Sequence, residues 1–194
     1  MKSNFLLLLS LLISSTTFAQ NTTIVKCDSI YKGKGITIKL KKFETEKQGY
    51  FGEKNSILTI SQKLNGKNSV LIKDSIFSLL QEIKFQDYNN DSIKDILIQN
   101  ISDVRSNWTY NLYLYNLKTN SFKKVKGFEE IKNPGYNSKY KIIESHVMSG
   151  RNWTGFYTIK NNKIDDYKIE ITDDGSSKYK KEYQKAIKKI SAKK

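Results

Sequence analysis

The chain has 194 residues, with 34 Lys and Arg against 19 Asp and Glu, and a formal net charge of +15. A single His and a single Cys exclude an intramolecular disulfide framework and any zinc site built from several His or Cys ligands. With 38% hydrophobic and 12% aromatic residues the chain can fill a core despite its charge, which excludes wholesale disorder.

Residues 1–19 read as a secretory signal peptide. Lys2 supplies a positive start, Phe5 to Ile13 is an apolar run broken by Ser10, and Thr17-Phe18-Ala19 ends in small residues around one aromatic, so cleavage is expected before Gln20. The apolar run has nine residues, against the roughly twenty that a membrane-spanning helix needs, and no later segment is as apolar. No membrane span is expected, and the address is periplasmic or secreted. Lys26 directly before Cys27 makes no lipobox, and Cys27 reads as an inert small residue in or near the first strand.

Residues 20–177 read as one β domain. Period-two alternation in Gly35 to Leu40, Ser56 to Ser61, Asp95 to Gln99 and Tyr110 to Tyr115 predicts half-buried strands. Asn- and Gly-bearing clusters at 64–68, 118–121 and 160–163 predict tight hairpins. The expected class is mainly β: an antiparallel meander or sandwich, or a partial-propeller sheet.

Between these strands, residues 87–95 place oxygen-bearing side chains at loop positions 1, 3, 5 and 9: Asp87, Asn89, Asp91 and Asp95, with the backbone carbonyl of Ile93 available at position 7. A hard cation takes six to eight oxygens at roughly 2.3–2.6 Å, and oxygens at alternate loop positions can wrap around one point. Calcium is the expected ion. Ile98 at position 12 rejects an EF-hand, and Ser92 stands at position 6, where Gly is usual. The bland alternative is a solvated turn whose Asp and Asn bond their own backbone.

The two Arg and two Trp of the chain lie in two similar segments, Arg105 to Tyr110 and Arg151 to Tyr157. The Trp residues are 45 positions apart, about one four-stranded propeller blade, which hints at an internal repeat. An Arg fork and a Trp face at adjacent loop ends have the composition of a binding hot spot; the alternative has each Trp packed under the sheet with Arg above it. Nearby, alternation through Ile142 to Met148 sets His146 and Glu144 on one strand face, read as structural with no catalytic partner marked by spacing. No enzyme is expected.

The chain closes on a predicted amphipathic helix over 178–194, with Tyr179, Tyr183, Ala186, Ile187 and Ile190 along one face and the turn 173–177 to cap it. Its eight Lys face one Glu. That surface reads either as a solvated face or as a contact for an anionic cell-envelope polymer. Nucleic acid is not expected, because the chain has almost no Arg to fork onto phosphate or guanine.

From Phe85 to Ile164 the pattern of the acidic loop running into Asp95-Ile96-Leu97, then Asn111 to Asn116, Thr119, Phe122, Asn133-Pro134, Lys141 to Ser145, Tyr157 and Asn162-Lys163-Ile164 resembles a family of bacterial periplasmic proteins with an FG-GAP-like calcium loop. That family includes immunity lipoproteins that protect cells from lysozyme-like effectors of type IV secretion systems, and its fold is similar to periplasmic inhibitors of invertebrate-type lysozyme. The resemblance implies that Asp87, Asn89, Asp91 and Asp95 are calcium ligands. It also implies a protein partner, a cell-wall hydrolase, met by a Ser-Gly loop that here reads Ser149-Gly150-Arg151-Asn152-Trp153, with Trp153 where those inhibitors carry Tyr. Ser149, Gly150, Arg151, Trp153, Arg105 and Trp108 are the expected contact residues.

Overall fold

The computed structural model describes residues 22–43 and 53–193. The signal peptide expected at 1–19 lies outside them. Among the described residues twelve strands and one α-helix follow in order: β1 (Thr22–Lys26), β2 (Ile36–Lys42), β3 (Ser56–Leu64), β4 (Lys67–Ile76), β5 (Ile83–Gln86), β6 (Asp95–Ser102), β7 (Trp108–Asn116), β8 (Ser121–Lys124), β9 (Pro134–Asn137), β10 (Ile142–Val147), β11 (Trp153–Lys160), β12 (Lys163–Thr172) and α1 (Ser177–Ser191). They form three antiparallel four-stranded sheets, β1–β4, β5–β8 and β9–β12, each with its strands in sequence order. Among the described residues no sheet closes into a barrel.

Turn chemistry builds these meanders. Asn65 and Gly66 between β3 and β4 both take positive φ, 50° and 77°, and Asn161 and Asn162 between β11 and β12 do the same at 51° and 57°. Paired left-handed residues match the twist of the strands they join, and Asn and Gly reach that conformation at least cost. The 45-residue interval between the Trp residues is thereby explained: Trp108 opens β7 and Trp153 opens β11, the third strands of consecutive sheets.

The sequence alternation predicts half-buried strands at 95–99 and 110–115, and here the structure corrects it. Asp95 through Gln99 are all buried, as are Tyr110 through Tyr113 and Tyr115. The cause is layering. Ile96, Ile98, Tyr113 and Tyr115 pack into one cluster with Ile38, Leu40, Leu58 and Ile60 of the first sheet. Leu97, Tyr110 and Leu112, on the opposite face, pack with Phe128, Ile131 and Ile143 toward the third sheet. The middle sheet thus has a core on each side. Polar ties reinforce both joints: Asp74 of β4 accepts from the Tyr113 hydroxyl at 2.7 Å and from Lys124 at 2.9 Å, and Tyr88 donates to the Pro134 carbonyl at 2.9 Å.

Helix α1 starts where expected, with Ser176 as N-cap accepting from the Tyr179 amide. Ala186, Ile187 and Ile190 are buried with Ile142, Phe156, Tyr167 and Ile171, so the helix covers the outer face of the third sheet. No described helix is long and apolar enough to cross a membrane.

Candidate functional site

The corners joining β6 to β7 and β10 to β11 lie side by side. Each is closed by its own polar side chain. In the first, an Asp103 carboxylate oxygen accepts the amides of Arg105 at 2.9 Å and Asn107 at 3.1 Å, and Ser106 turns at φ 58°. In the second, the Asn152 side chain accepts the Ser149 amide at 3.1 Å, and the Ser149 hydroxyl bonds the Arg151 backbone.

Asn107 zips the corners together. It is 2% exposed, and its carboxamide behaves as one more peptide group: Nδ2 donates to the Met148 carbonyl at 2.8 Å while Oδ1 accepts the Met148 amide at 2.8 Å. Nδ2 also reaches both Asp103 oxygens. Asn133 extends the chain of amides, donating to Asn107 Oδ1 at 3.1 Å and the His146 carbonyl at 2.9 Å while accepting the Trp108 amide at 2.8 Å. Lys132 adds an ion pair to Asp103 at 3.1 Å. These donors, led by Asn107, hold the Asp103 carboxyl well below the usual carboxylate range. The result is a paired corner fixed by amides where small secreted proteins often use a disulfide.

Beside this seam opens a recess of about 530 Å³ lined by Arg105, Lys132, Ser149, Trp153 and Tyr157 among others. Its aromatic wall depends on Gly155. A Cβ there would stand 3.1 Å from both the Trp153 ring and the Tyr157 hydroxyl, so any larger residue would make these side chains give by a few tenths of an ångström. The Arg105 guanidinium carries no hydrogen bond or ion pair among the described residues.

Of the six expected contact residues, three line the recess: Arg105, Ser149 and Trp153. Gly150 borders it, since a Cβ at that position would meet Arg105 Nη1 at 3.7 Å. Arg151 is exposed on the neighbouring turn. Trp108 does not join them. It begins β7 on the face shared with Tyr110, Leu112 and Leu114, and that parity packs it partly buried against the second core cluster. The two tryptophans of the twin segments therefore have different environments, Trp108 packed partly buried against the second core cluster and Trp153 lining the recess. Sequence reading assigned no site role to Asp103, Asn107, Lys132, Asn133 or Tyr157, although Asn107 and Tyr157 lie in the twin segments and Asn133 and Tyr157 in the family pattern, because their relation is made by chain crossings.

The loop 87–95 lies between β5 and β6. Asp87 accepts the amides of Asn89, Asn90 and Ser92, Asn89 accepts that of Asp91, and Asp91 accepts that of Ile93. Ser92, at the position where Gly is usual, takes φ 67°, about 1 kcal/mol of strain. Asp95 is fully buried and clasps the Tyr88 amide at 2.8 Å and the Tyr115 amide at 3.1 Å. Burial pushes its carboxyl up to about 7, with Asp91 and Asp87 adding to the rise against those two hydrogen bonds. The donor chemistry suits a hard cation. As the loop stands, however, its carboxylates serve amide groups, and among the described residues no three His, Cys, Asp or Glu side chains form a group that could hold a metal ion.

Cys27 is fully buried, and desolvation pushes its thiol up to about 11. His146 stands on β10 with Nε2 3.5 Å from Glu144, whose other oxygen accepts the Tyr183 hydroxyl of α1 at 2.7 Å and Asn137 Nδ2 at 2.8 Å. The hydrogen bond to Glu144 raises the His146 pKa above its ordinary value. Burial works to raise that of Glu144, but the bonds from His146, Tyr183 and Asn137 outweigh it and the net shift is downward. The sign follows for each. His146 contributes stability that is fully present below about pH 6.5 and lost as pH rises through its raised folded value, while Glu144 contributes stability present above about 4.5 and lost as pH falls through its lowered one. With the His side chain half exposed, the melting advantage of wild type over His146→Gln is expected to be only about 1–2 °C at pH 6 and to shrink as pH rises in a thermal melt series. An advantage that grows with pH would contradict this pairing.

No family model matches the chain, and no curated protein matches it. Among solved structures, one described as a Xanthomonas type IV secretion system related protein aligns at 13% identity over 82% of this chain and 92% of its own, with a TM-score of 0.45. A superposition that loose defines no shared function.

Proposed function

We propose that this chain is an exported, calcium-stabilised β-protein that binds a lysozyme-like cell-wall hydrolase as an inhibitor or immunity factor, without catalysis of its own. The observation that carries this reading is the amide-locked pair of corners, which presents a free Arg105, an exposed Arg151 and an aromatic wall on a frame fixed before any partner arrives. A frame already ordered loses little conformational freedom on binding, and aromatic and Arg anchors dominate interface energies. The partner chemistry follows from the charge. A glycan-cleaving cleft carries two carboxylates, and a guanidinium with no partner among the described residues is the complementary fork.

Calcium belongs to the same proposal. Asp95 is buried where its charge is penalised, with Asp87 and Asp91 close enough to add repulsion, and a divalent cation would offset both. To hold it, Asp87, Asn89, Asp91, Asp95 and the Ile93 carbonyl would have to draw together, since as the loop stands its carboxylates accept amides and do not form one group.

The test is turnover of cell-wall glycan by a panel of lysozyme classes in the presence of the mature chain. Stoichiometric inhibition of at least one class is expected, and Arg105→Ala or Trp153→Ala should weaken it by about 10- to 30-fold, as hot-spot truncations do. Inhibition that both substitutions leave unchanged would move the contact elsewhere on the molecule.

A further inference from the structure

We propose that the outward face of α1 is a docking strip for a linear, phosphate-bearing polyanion, a contact separate from the recess and independent of its partner. The helix is fixed to the third sheet by its aromatic face. The Tyr183 hydroxyl bonds Glu144 at 2.7 Å, the Tyr179 hydroxyl lies 3.4 Å from Thr154 Oγ1, and Ala186, Ile187 and Ile190 are buried. What remains outside is chiefly lysine. Lys178, Lys181, Lys185 and Lys188 are all exposed and follow one another at steps of three, four and three residues. At 1.5 Å rise per residue this is one positive charge about every 5 Å along a line of about 15 Å. Among the described residues, Lys178 alone of these four has an ion pair, with Glu182 at 3.8 Å. Lys139 continues the positive field on the β9–β10 turn, lying over Tyr140, whose ring in turn meets Tyr183.

Two features select a thread over a bilayer. Lys178, Lys181, Lys185 and Lys188 run in line along the helix with Lys180, Lys189 and Lys193 exposed to either side, and every buried apolar residue of α1 points into the protein, so none is available to enter a lipid surface. The side chains are Lys and not Arg, hydrated point charges that attract a phosphate chain without selecting its stereochemistry. Affinity then comes chiefly from counterion release, which falls with salt at a slope of about 0.7 per charge neutralised on a single strand.

The experiment is fluorescence anisotropy of labelled inorganic polyphosphate titrated with the full mature chain between 50 and 300 mM NaCl. For four lysines the expected slope of log K against log salt is about −3, and the triple variant K181Q/K185Q/K188Q should flatten it by about two and cost more than tenfold in affinity at low salt. Gln keeps the helix, having nearly the propensity of Lys, and far-UV circular dichroism would show it intact. A control triple on the first sheet, K39Q/K67Q/K73Q, removes the same charge and should bind as wild type. Equal losses in the two triples would overturn the proposal by reducing it to net charge. Tighter binding to phosphatidylglycerol vesicles than to polyphosphate at equal phosphate would overturn it in favour of a bilayer.

Discussion

Asn107→Ala is expected to lower the melting temperature by about 6–12 °C and to abolish partner binding. The substitution removes a side chain that is almost wholly buried and leaves the Met148 amide and carbonyl without the groups they face, along with Asn133 Nδ2. Buried groups left unpaired cost about 1–3 kcal/mol each, and water entering from the adjacent recess recovers part of that, so a net loss near 3 kcal/mol is expected. For a chain of this length each kcal/mol moves the midpoint by about 2–4 °C. Asn107→Asp should do no better, although it keeps the shape, because a carboxylate cannot donate to Asp103 and would repel it. Thermal melts of both variants decide the matter; a shift under about 2 °C would mean that the corners hold together without this residue.

Asp95→Ala is the second large effect. Its two oxygens are the partners of the Tyr88 and Tyr115 amides, which join the start of the acidic loop to β7, and truncation leaves both donors buried and unpaired for about 2–5 kcal/mol. Removing a carboxylate that burial already disfavours returns a little of this. The same variant addresses calcium. A ligand that binds only the folded chain stabilises by about 2.7 kcal/mol at one hundred times its Kd, which here is a midpoint rise of about 5–10 °C. Wild type should show that rise on adding calcium and lose it with chelator, whereas Asp95→Ala should show none. A wild-type midpoint indifferent to calcium would leave residues 87–95 as a turn that satisfies its own amides.

Much of the fold was legible because it is written in local chemistry. The alternation at 36–40 and 56–61, the Asn-Gly turn at 65–66 and the helical face from Tyr179 to Ile190 each depend on neighbours in sequence, and each appears as expected. The burial of both faces of β6 was not legible. Asp95 and Gln99 look like the polar face of a surface strand, and only the packed structure reveals that Asp95 is in the interior as a clasp for the Tyr88 and Tyr115 amides. The twin Arg-Trp segments were visible as a pair, but the sequence could not show that equivalent positions in two sheets would meet different surroundings. Trp108 faces the second core cluster, whereas Trp153 is held against Gly155 at the recess. Asn107 was passed over because its value lies in a contact 41 residues away.

The most direct test is retention of a purified cell-wall hydrolase on the immobilised mature chain, compared with the same chain carrying Arg105→Ala and Trp153→Ala together. Retention of at least one lysozyme class by wild type, reduced about a hundredfold in the double variant while its melting temperature stays within a few degrees, is the expected result. Failure of every class to bind the intact chain, or equal binding by both forms, would contradict the role assigned to the recess.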